Sequence, residues 1–386
     1  MLASQIFAYA VIGLGSGALI AGVGLGVVLS YRGSGVINLA AGAIAMLAGY
    51  CYWALATGDL GVTFPMGWAI TLTLLFSAAV GIVFELGVVR PLRRQAPLAK
   101  LVATLGILLS AQAAIVLAFG QTAKPQPSIL PAGNVTISGV IVPDYDLWMA
   151  GIVVVVTLLV AAAYRWTRFG LGTRAAAENE AFATLFGLSP NRYSLGNTVL
   201  MALVMGLVGM LAASIAEVDP STLVLMIVPG LAAAMFGRLT GFTTTIVAGV
   251  VIGMAESVLL YLSTQSWFPT SNGGPLPGVD ELLVLLVLVA ATFFRAGKIP
   301  PRGDIVEPRL PRAPRPVAPL RTAAIFVPLA AVAMWALPFG FREGLITSCI
   351  FAISLLSLVV VTGYLGQLSL VQLGLAGVAG FMVSHL

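Results

Sequence analysis

Residues 165–192 read RWTRFGLGTRAAAENEAFATLFGLSPNR, a polar island between two long apolar runs. Thr173 is placed to cap a short helix, and Gly187 followed by Ser189-Pro190 to stop it. Phe182, Leu185 and Phe186 fall on one face at helical spacing, while Glu178 and Asn179 project elsewhere. Ser189-Pro190 reads as the cap and first residue of the next helix. Two readings stand side by side. The plainer is a solvated loop with a surface helix; the sharper is an amphipathic docking element for a partner.

What flanks the island decides the fold class. Of 386 residues, 59% are hydrophobic and 9% charged, with a mean hydropathy of +1.05. That composition excludes a soluble globular domain and a disordered chain, and leaves an all-α polytopic membrane protein. The formal net charge is +5, but its placement matters more than its sum. Cys51 and Cys349 both lie in apolar runs, where a small packed side chain is expected rather than a disulfide or a metal ligand. The first apolar run lacks a basic start and exceeds a signal core, so it is expected to remain as a spanning helix.

Upstream of the island, apolar runs cover residues 5–29, 36–57, 66–89, 99–119 and 147–164. Arg90, Arg93, Arg94 and Lys100 close the third, and the positive-inside rule places that cluster in the cytoplasm. Counting back puts Arg32 inside, Asp59 outside and the N-terminus outside. Counting forward puts Asp144 and Asp146 outside, and Arg165, Arg168, Arg174 and Arg192 of the island inside. Downstream, residues 195–216, 222–237, 241–262 and 282–294 continue the alternation. The piece at 222–237 is short for a full span and reads as broken or tilted. Over about nine crossings only Lys124 and, further on, Arg342 fall outside among the 19 lysines and arginines.

Residues 296–321 break this pattern. Seven prolines, from Pro300 to Pro319, interleave with Arg302, Arg309, Arg312, Arg315 and Arg321. A stiff extended cytoplasmic linker is expected, its charge resting on anionic headgroups rather than on nucleic acid. Residues 322–338 and 344–362 read as two more spans, and a last apolar run starts near Gly363. That run repeats an earlier one: Asn38 to Tyr50 and Ser369 to Phe381 each follow a glycine-containing break, open on a polar residue and close on glycine and an aromatic. Chance similarity between apolar segments and an internal repeat both fit.

Taken together these segments resemble the membrane permease subunits of ABC importers for branched-chain amino acids, the Leu/Ile/Val type. The family pattern I-N-F-A-H-G-x-x-x-M-x-G-A-Y stands here as Ile37-Asn38-Leu39-Ala40-Ala41-Gly42, Met46, Gly49 and Tyr50. E-R-x-x-Y-R-P-L-R stands as Glu85 to Val89 and Arg90-Pro91-Leu92-Arg93. The cytoplasmic loop pattern stands as Leu171-Gly172, Arg174 to Asn179, Ala183, Leu185-Phe186-Gly187-Leu188 and Arg192. The tail, Gly363 and Gly366-Gln367-Leu368-Ser369-Leu370, resembles the start of the partner permease. The histidine usual in the first pattern is Ala41, the one usual in the tail is Gln372, and Ala181 replaces an acidic residue of the general coupling motif, with Glu180 one place off.

The resemblance implies residues 1–295 as a first permease domain, 296–321 as a linker and 322–386 as the cut-short start of a second permease. It implies two cytoplasmic ATP-binding cassette subunits, an extracytoplasmic solute-binding protein, and a second permease unit, fused or separate, in the cell membrane. An ATPase-coupling helix would include Arg174, Glu178, Asn179, Ala183 and Gly187, seated in a groove of an ATPase. The departures at Ala41 and Gln372 keep urea and short-chain amides open as cargo.

Polar residues within the spans are the path candidates. Asn38 opens a segment after Gly33-Ser34-Gly35, where a broken helix would offer free backbone groups to a carboxylate, and Gly42 follows it. Glu256 sits mid-span beside Ser257, either lining the path or held internally. Glu85, about one turn from Arg90, reads as a partner of the basic cluster. Gly13 and Gly17, Gly22 and Gly26, and Gly249 and Gly253 are spaced for close helix contact. Gly13-Leu14-Gly15 with Ala18 has no preceding strand to make a dinucleotide site. One histidine, His385, makes no triad or zinc site, and Gly297-Lys298 is no phosphate loop because Ile299 follows the lysine. ATP hydrolysis therefore falls to partner chains, and no cofactor is expected. An ion-coupled secondary transporter with Glu256 as proton site is the rival from another class, and a membrane scaffold without transport is a third.

Overall fold

The computed structural model describes residues 2–35, 37–59, 61–93, 95, 97–125, 127–131, 133–137, 140–212, 217–265, 267–268, 270–271, 274–275, 278–295, 319–336, 338–361 and 372–384. Arg94, residues 296–318 of the expected linker, Gly363 to Leu370 of the tail pattern and His385 lie outside the described residues. The chain divides into two compact units, Met1–Ile305 and Val306–Leu386.

The first unit is built around its N-terminal helix, α1 (Leu2–Ser34). At 33 residues it is about 50 Å long, well beyond a hydrocarbon core of about 30 Å, so it crosses tilted or reaches past the bilayer. Gly35, at φ 73°, ends it, its N–H returning to the Tyr31 carbonyl at 2.8 Å. After a short break α2 (Ala40–Thr57) turns back across the unit and stops at Gly58, also left-handed at φ 79°. α3 (Met66–Phe84) runs into one π-helical turn over Glu85–Val89, and α4 (Pro97–Phe119) completes the first four passes.

A β-hairpin follows, β1 (Asn134–Ile137) against β2 (Val140–Pro143), antiparallel with Asn134 opposite Pro143. It feeds α5 (Asp144–Trp166), so the acidic pair Asp144 and Asp146 sits in a helix first turn. The island then gives α6 (Arg168–Glu178) and α7 (Glu180–Leu185), and α8 (Pro190–Ala212) begins at Pro190 as expected.

The short apolar piece, expected to be broken or tilted, is broken. α9 (Pro220–Leu225) and α10 (Ile227–Phe236) meet at Met226. Asp219 caps α9, its Oδ2 accepting from the Ser221 and Thr222 N–H groups at 3.0 and 2.8 Å. A tight turn with Arg238 and Leu239 at positive φ leads into α11 (Phe242–Ser263). A two-residue ladder, β3 (Thr270–Ser271) with β4 (Gly274–Pro275), precedes α12 (Val279–Arg295).

Composition sorts these helices into a centre and a ring. The apolar stretches of α1 and α2 are 78% buried and that of α8 67%, against 17–28% for α3, α4, α5 and α11. Helices apolar all round belong inside the bundle, while the outer ones turn Leu75, Val83, Leu117, Leu159 and Val247 outward, a surface that only lipid or another membrane chain covers. α1 packs along α5, α8, α10 and α11. Its glycines make that possible. A Cβ on Gly13 would stand 2.6 Å from the Gly253 carbonyl oxygen, and one on Gly249 2.5 Å from Ala21 Cα, so the expected small-residue seam is formed between α1 and α11. Gly22 and Gly26 serve a different neighbour, α8, against Val208 and Met205.

The second unit contains α13 (Pro319–Ala336) with Pro328 inside it, α14 (Phe339–Val359) and α15 (Gln372–Ser384). α13 takes in Pro319 and Arg321, so the end of the expected linker is helical; proline suits a first helical position. Among the described residues eight helices are long and apolar enough to cross a membrane.

Candidate coupling loop and translocation path

The island is two helices rather than one. Thr167, not Thr173, caps α6, its Oγ1 accepting from the Gly170 N–H at 3.4 Å. Thr173 is buried in the middle of α6, where its Oγ1 accepts from Asn197 Nδ2 at 3.2 Å. Asn179 breaks the helix after Glu178 and caps α7. Its backbone is extended, at φ −154°, and its Oδ1 accepts from the Ala181 and Phe182 N–H groups at 3.0 and 3.1 Å. Thr167 and Asn179 are both cap-forming residue types, and the extended backbone each adopts decided which of the candidates became caps.

Gly187 stops α7 as expected, at φ 77°, with Leu188 N–H returning to the Ala183 carbonyl at 3.0 Å. Ala183 faces inward and is buried, while Phe182, Leu185 and Phe186 are 61%, 81% and 82% exposed on the other face. Glu180, in the first turn of α7, accepts from Arg93 Nη2 at 2.9 Å and Nε at 3.2 Å, and Arg93 also donates to Asn191 Oδ1. Arg174, though exposed, donates to the Tyr164 carbonyl at 2.5 Å, so it serves the loop's own anchorage; Glu178 is exposed as well.

The residues expected to line a path do not gather in one place. Asn38 is 3% exposed in the break between α1 and α2, its Oδ1 accepting from the Ala40 N–H at 2.9 Å. Its Nδ2 has no hydrogen-bond partner among the described residues. The Leu39 N–H donates to Thr104 Oγ1 at 3.3 Å. Asn38, Ser30, Ser34, Lys100 and Thr104 line a cavity of about 20 Å³, room for one water-sized guest. One turn on, Gly42 lets α2 approach the broken span: a Cβ there would lie 3.1 Å from the Val224 carbonyl oxygen.

Glu256 lies elsewhere. It occupies the last third of α11, half-buried, within electrostatic reach of Asp280 and Glu281 in the first turn of α12. Its neighbour Ser257 donates to the Tyr9 carbonyl at 2.7 Å, near the start of α1. Asn38 follows the other end of α1, about 35 Å away along the helix. Glu256, about one turn past the middle of α11, therefore shares no site with Asn38 and Gly42.

Glu85 also departs from expectation. It is buried in the π-helical turn and accepts from Thr198 Oγ1 at 2.6 Å, rather than pairing with Arg90. π-turns of this kind recur at functional sites. Sequence reasoning passed over Asn197 and Thr198, although a polar pair within the apolar run 195–216 is the signal that singled out Glu256. It also passed over Tyr164, whose hydroxyl donates to Asn197 Oδ1.

The family model for branched-chain amino acid transport system permease components matches residues 9–292. Among curated relatives, the high-affinity branched-chain amino acid transport system permease protein BraD of Pseudomonas aeruginosa is 25% identical over 264 residues, 64% of this chain and 83% of that protein. The permease protein LivH of the corresponding system in Escherichia coli K12 is 23% identical over 291 residues, 72% of this chain and 92% of that one. Among solved structures, PsaBC from Streptococcus pneumoniae in complex with Fab covers 74% of this chain and 90% of its own at 17% identity, with a TM-score of 0.40, too loose a likeness to fix a fold. The matched stretch runs from the first turns of α1 to near the end of α12, and takes in both caps of the 167–187 loop and the break at Asn38. The chain belongs to the family of branched-chain amino acid transport system permease components.

Proposed function

We infer that the chain is the permease of an ATP-driven ABC importer and forms a membrane path for branched-chain amino acids. The family match across residues 9–292 carries this reading. The partners follow from it: two cytoplasmic ATP-binding cassette subunits that hydrolyse ATP, an extracytoplasmic solute-binding protein and a second permease unit. The basic ends of α1, α3 and α5 and the island face the cytoplasm, which puts the N-terminus outside. The exposed Phe182, Leu185 and Phe186 form an apolar ridge of the size that seats in a groove of an ATPase. Closure of the nucleotide-bound ATPases then shifts the balance between outward- and inward-open states, provided the two bind the closed pair unequally.

Uptake of labelled leucine, urea and acetamide into proteoliposomes tests this reading, with the ATPases and the binding protein supplied. Leucine uptake that needs ATP, and is lost when Phe182 and Leu185 are both changed to serine, is the expected result. ATP-dependent uptake of urea or acetamide instead keeps the machine and changes the cargo. Uptake that ignores ATP and follows a proton gradient refutes the importer reading.

A further inference from the structure

The loop of residues 167–187 is bolted to the spanning helices more firmly than a surface loop requires. Asn197, buried two turns into α8, commits its whole amide. Its Oδ1 accepts from the Tyr164 hydroxyl, and its Nδ2 donates to Thr173 Oγ1 at 3.2 Å and to the Tyr193 carbonyl at 2.7 Å. One side chain thus joins the end of α5, the middle of α6 and the start of α8. Glycines bring the backbones close enough. A Cβ on Gly172 would collide with the Tyr193 ring, one on Gly170 with the Tyr164 backbone, and one on Gly33 of α1 would stand 2.8 Å from Asn197 Cβ.

Tyr164 extends the joint through its ring. The Arg32 guanidinium, from the last turns of α1, lies 5.2 Å from the Tyr164 ring centroid and 4.4 Å from that of Phe242. The same guanidinium donates to the Thr240 carbonyl. That carbonyl belongs to the turn between α10 and α11, where Arg238 and Leu239 are held at φ 53° and 57°. Arg174 adds a second tie from α6 to the Tyr164 backbone.

We propose that Tyr164, Asn197 and Arg32 form a rigid joint that transmits displacement of the 167–187 loop to α1, to α8 and to the α10–α11 turn. This rests on the importer reading given above. The three are positioning residues, acting through the helices they hold. A loop seated on apolar side chains alone absorbs a push by rotamer changes. The Asn197 amide and the Tyr164 hydroxyl, both buried and paired, do not, because opening their contacts leaves donors and acceptors without partners; the helices move instead.

The test uses the complete importer in proteoliposomes, reading leucine accumulated per ATP hydrolysed and the ATPase subunits that co-purify. Tyr164→Phe keeps the ring under Arg32 and removes only the hydroxyl, a change too small to unfold the bundle; Asn197→Leu removes the amide. Both complexes are expected to assemble and to hydrolyse ATP, with leucine moved per ATP down about tenfold. The double variant is expected to be no worse than Asn197→Leu alone, since both changes open the same joint. A wild-type ratio in Tyr164→Phe, additive losses in the double variant, or loss of the ATPase subunits would each overturn the proposal. Failure of the unaltered chain to take up leucine with ATP marks instead the failure of the importer reading, and the joint falls with it.

Discussion

Gly17→Ala is the sharpest check on the packing of α1 against α11. The new Cβ would stand 2.9 Å from Val250 Cα and 2.8 Å from its carbonyl oxygen, about 0.6 Å inside ordinary carbon contact. Both atoms are backbone, so no side chain can swing aside. Along the same seam, Gly253 and Gly249 of α11 lie equally close to the Gly17 and Ala21 backbone. The two helices must part, and overpacking of this kind costs about 1–3 kcal/mol. Alanine returns about 0.5–1 kcal/mol by replacing glycine inside a helix. The net destabilisation is then up to about 2.5 kcal/mol, centred near 1. Gly67→Ala in α3 is the control, because a Cβ there meets nothing within 4 Å and keeps only the helical gain. Thermal unfolding of the purified chain in mild detergent reads both. The Gly17→Ala midpoint is expected to fall by about 2–4 °C per kcal/mol, and that of Gly67→Ala to stay level or rise. Equal midpoints for the two variants would refute the seam.

Two further outcomes follow from the polar contacts. Thr198→Val removes the hydroxyl bound to the buried Glu85 carboxyl, and is expected to lower stability by about 1–3 kcal/mol in the same unfolding assay; an unchanged midpoint would mean that Glu85 has no need of this partner. Asn179→Ala strips α7 of its cap, expected to cost that six-residue helix about 1 kcal/mol. Hydrogen exchange at residues 181–186 should quicken while exchange in α8 stays unchanged, with Asn179→Asp restoring protection; uniform protection across the three proteins would refute the capping role.

Much of this protein is legible in one dimension. Apolar runs of span length, with basic residues at every second connection, are enough to mark α1 to α5, α8 and α11, because in lipid every spanning segment must satisfy its own backbone. Length alone marked 222–237 as broken or tilted, and the glycine pairs foretold close helix contact. Likewise the exposed Phe182, Leu185 and Phe186 follow from helical period. What the sequence could not say is which helix each glycine meets: Gly17 faces α11, while Gly26 faces α8. Nor could it tell that Glu85 would take Thr198 as partner, or that Thr167 and Asn179 would be the caps and Thr173 a buried link to Asn197. Pairings between residues tens to hundreds of positions apart carry no local period, and arise only when helices cross at a particular depth. Glu256 shows the limit most plainly. Its place in an apolar run marks it as costly, but only the fold sets it beside Asp280 and Glu281, a helix length away from Asn38.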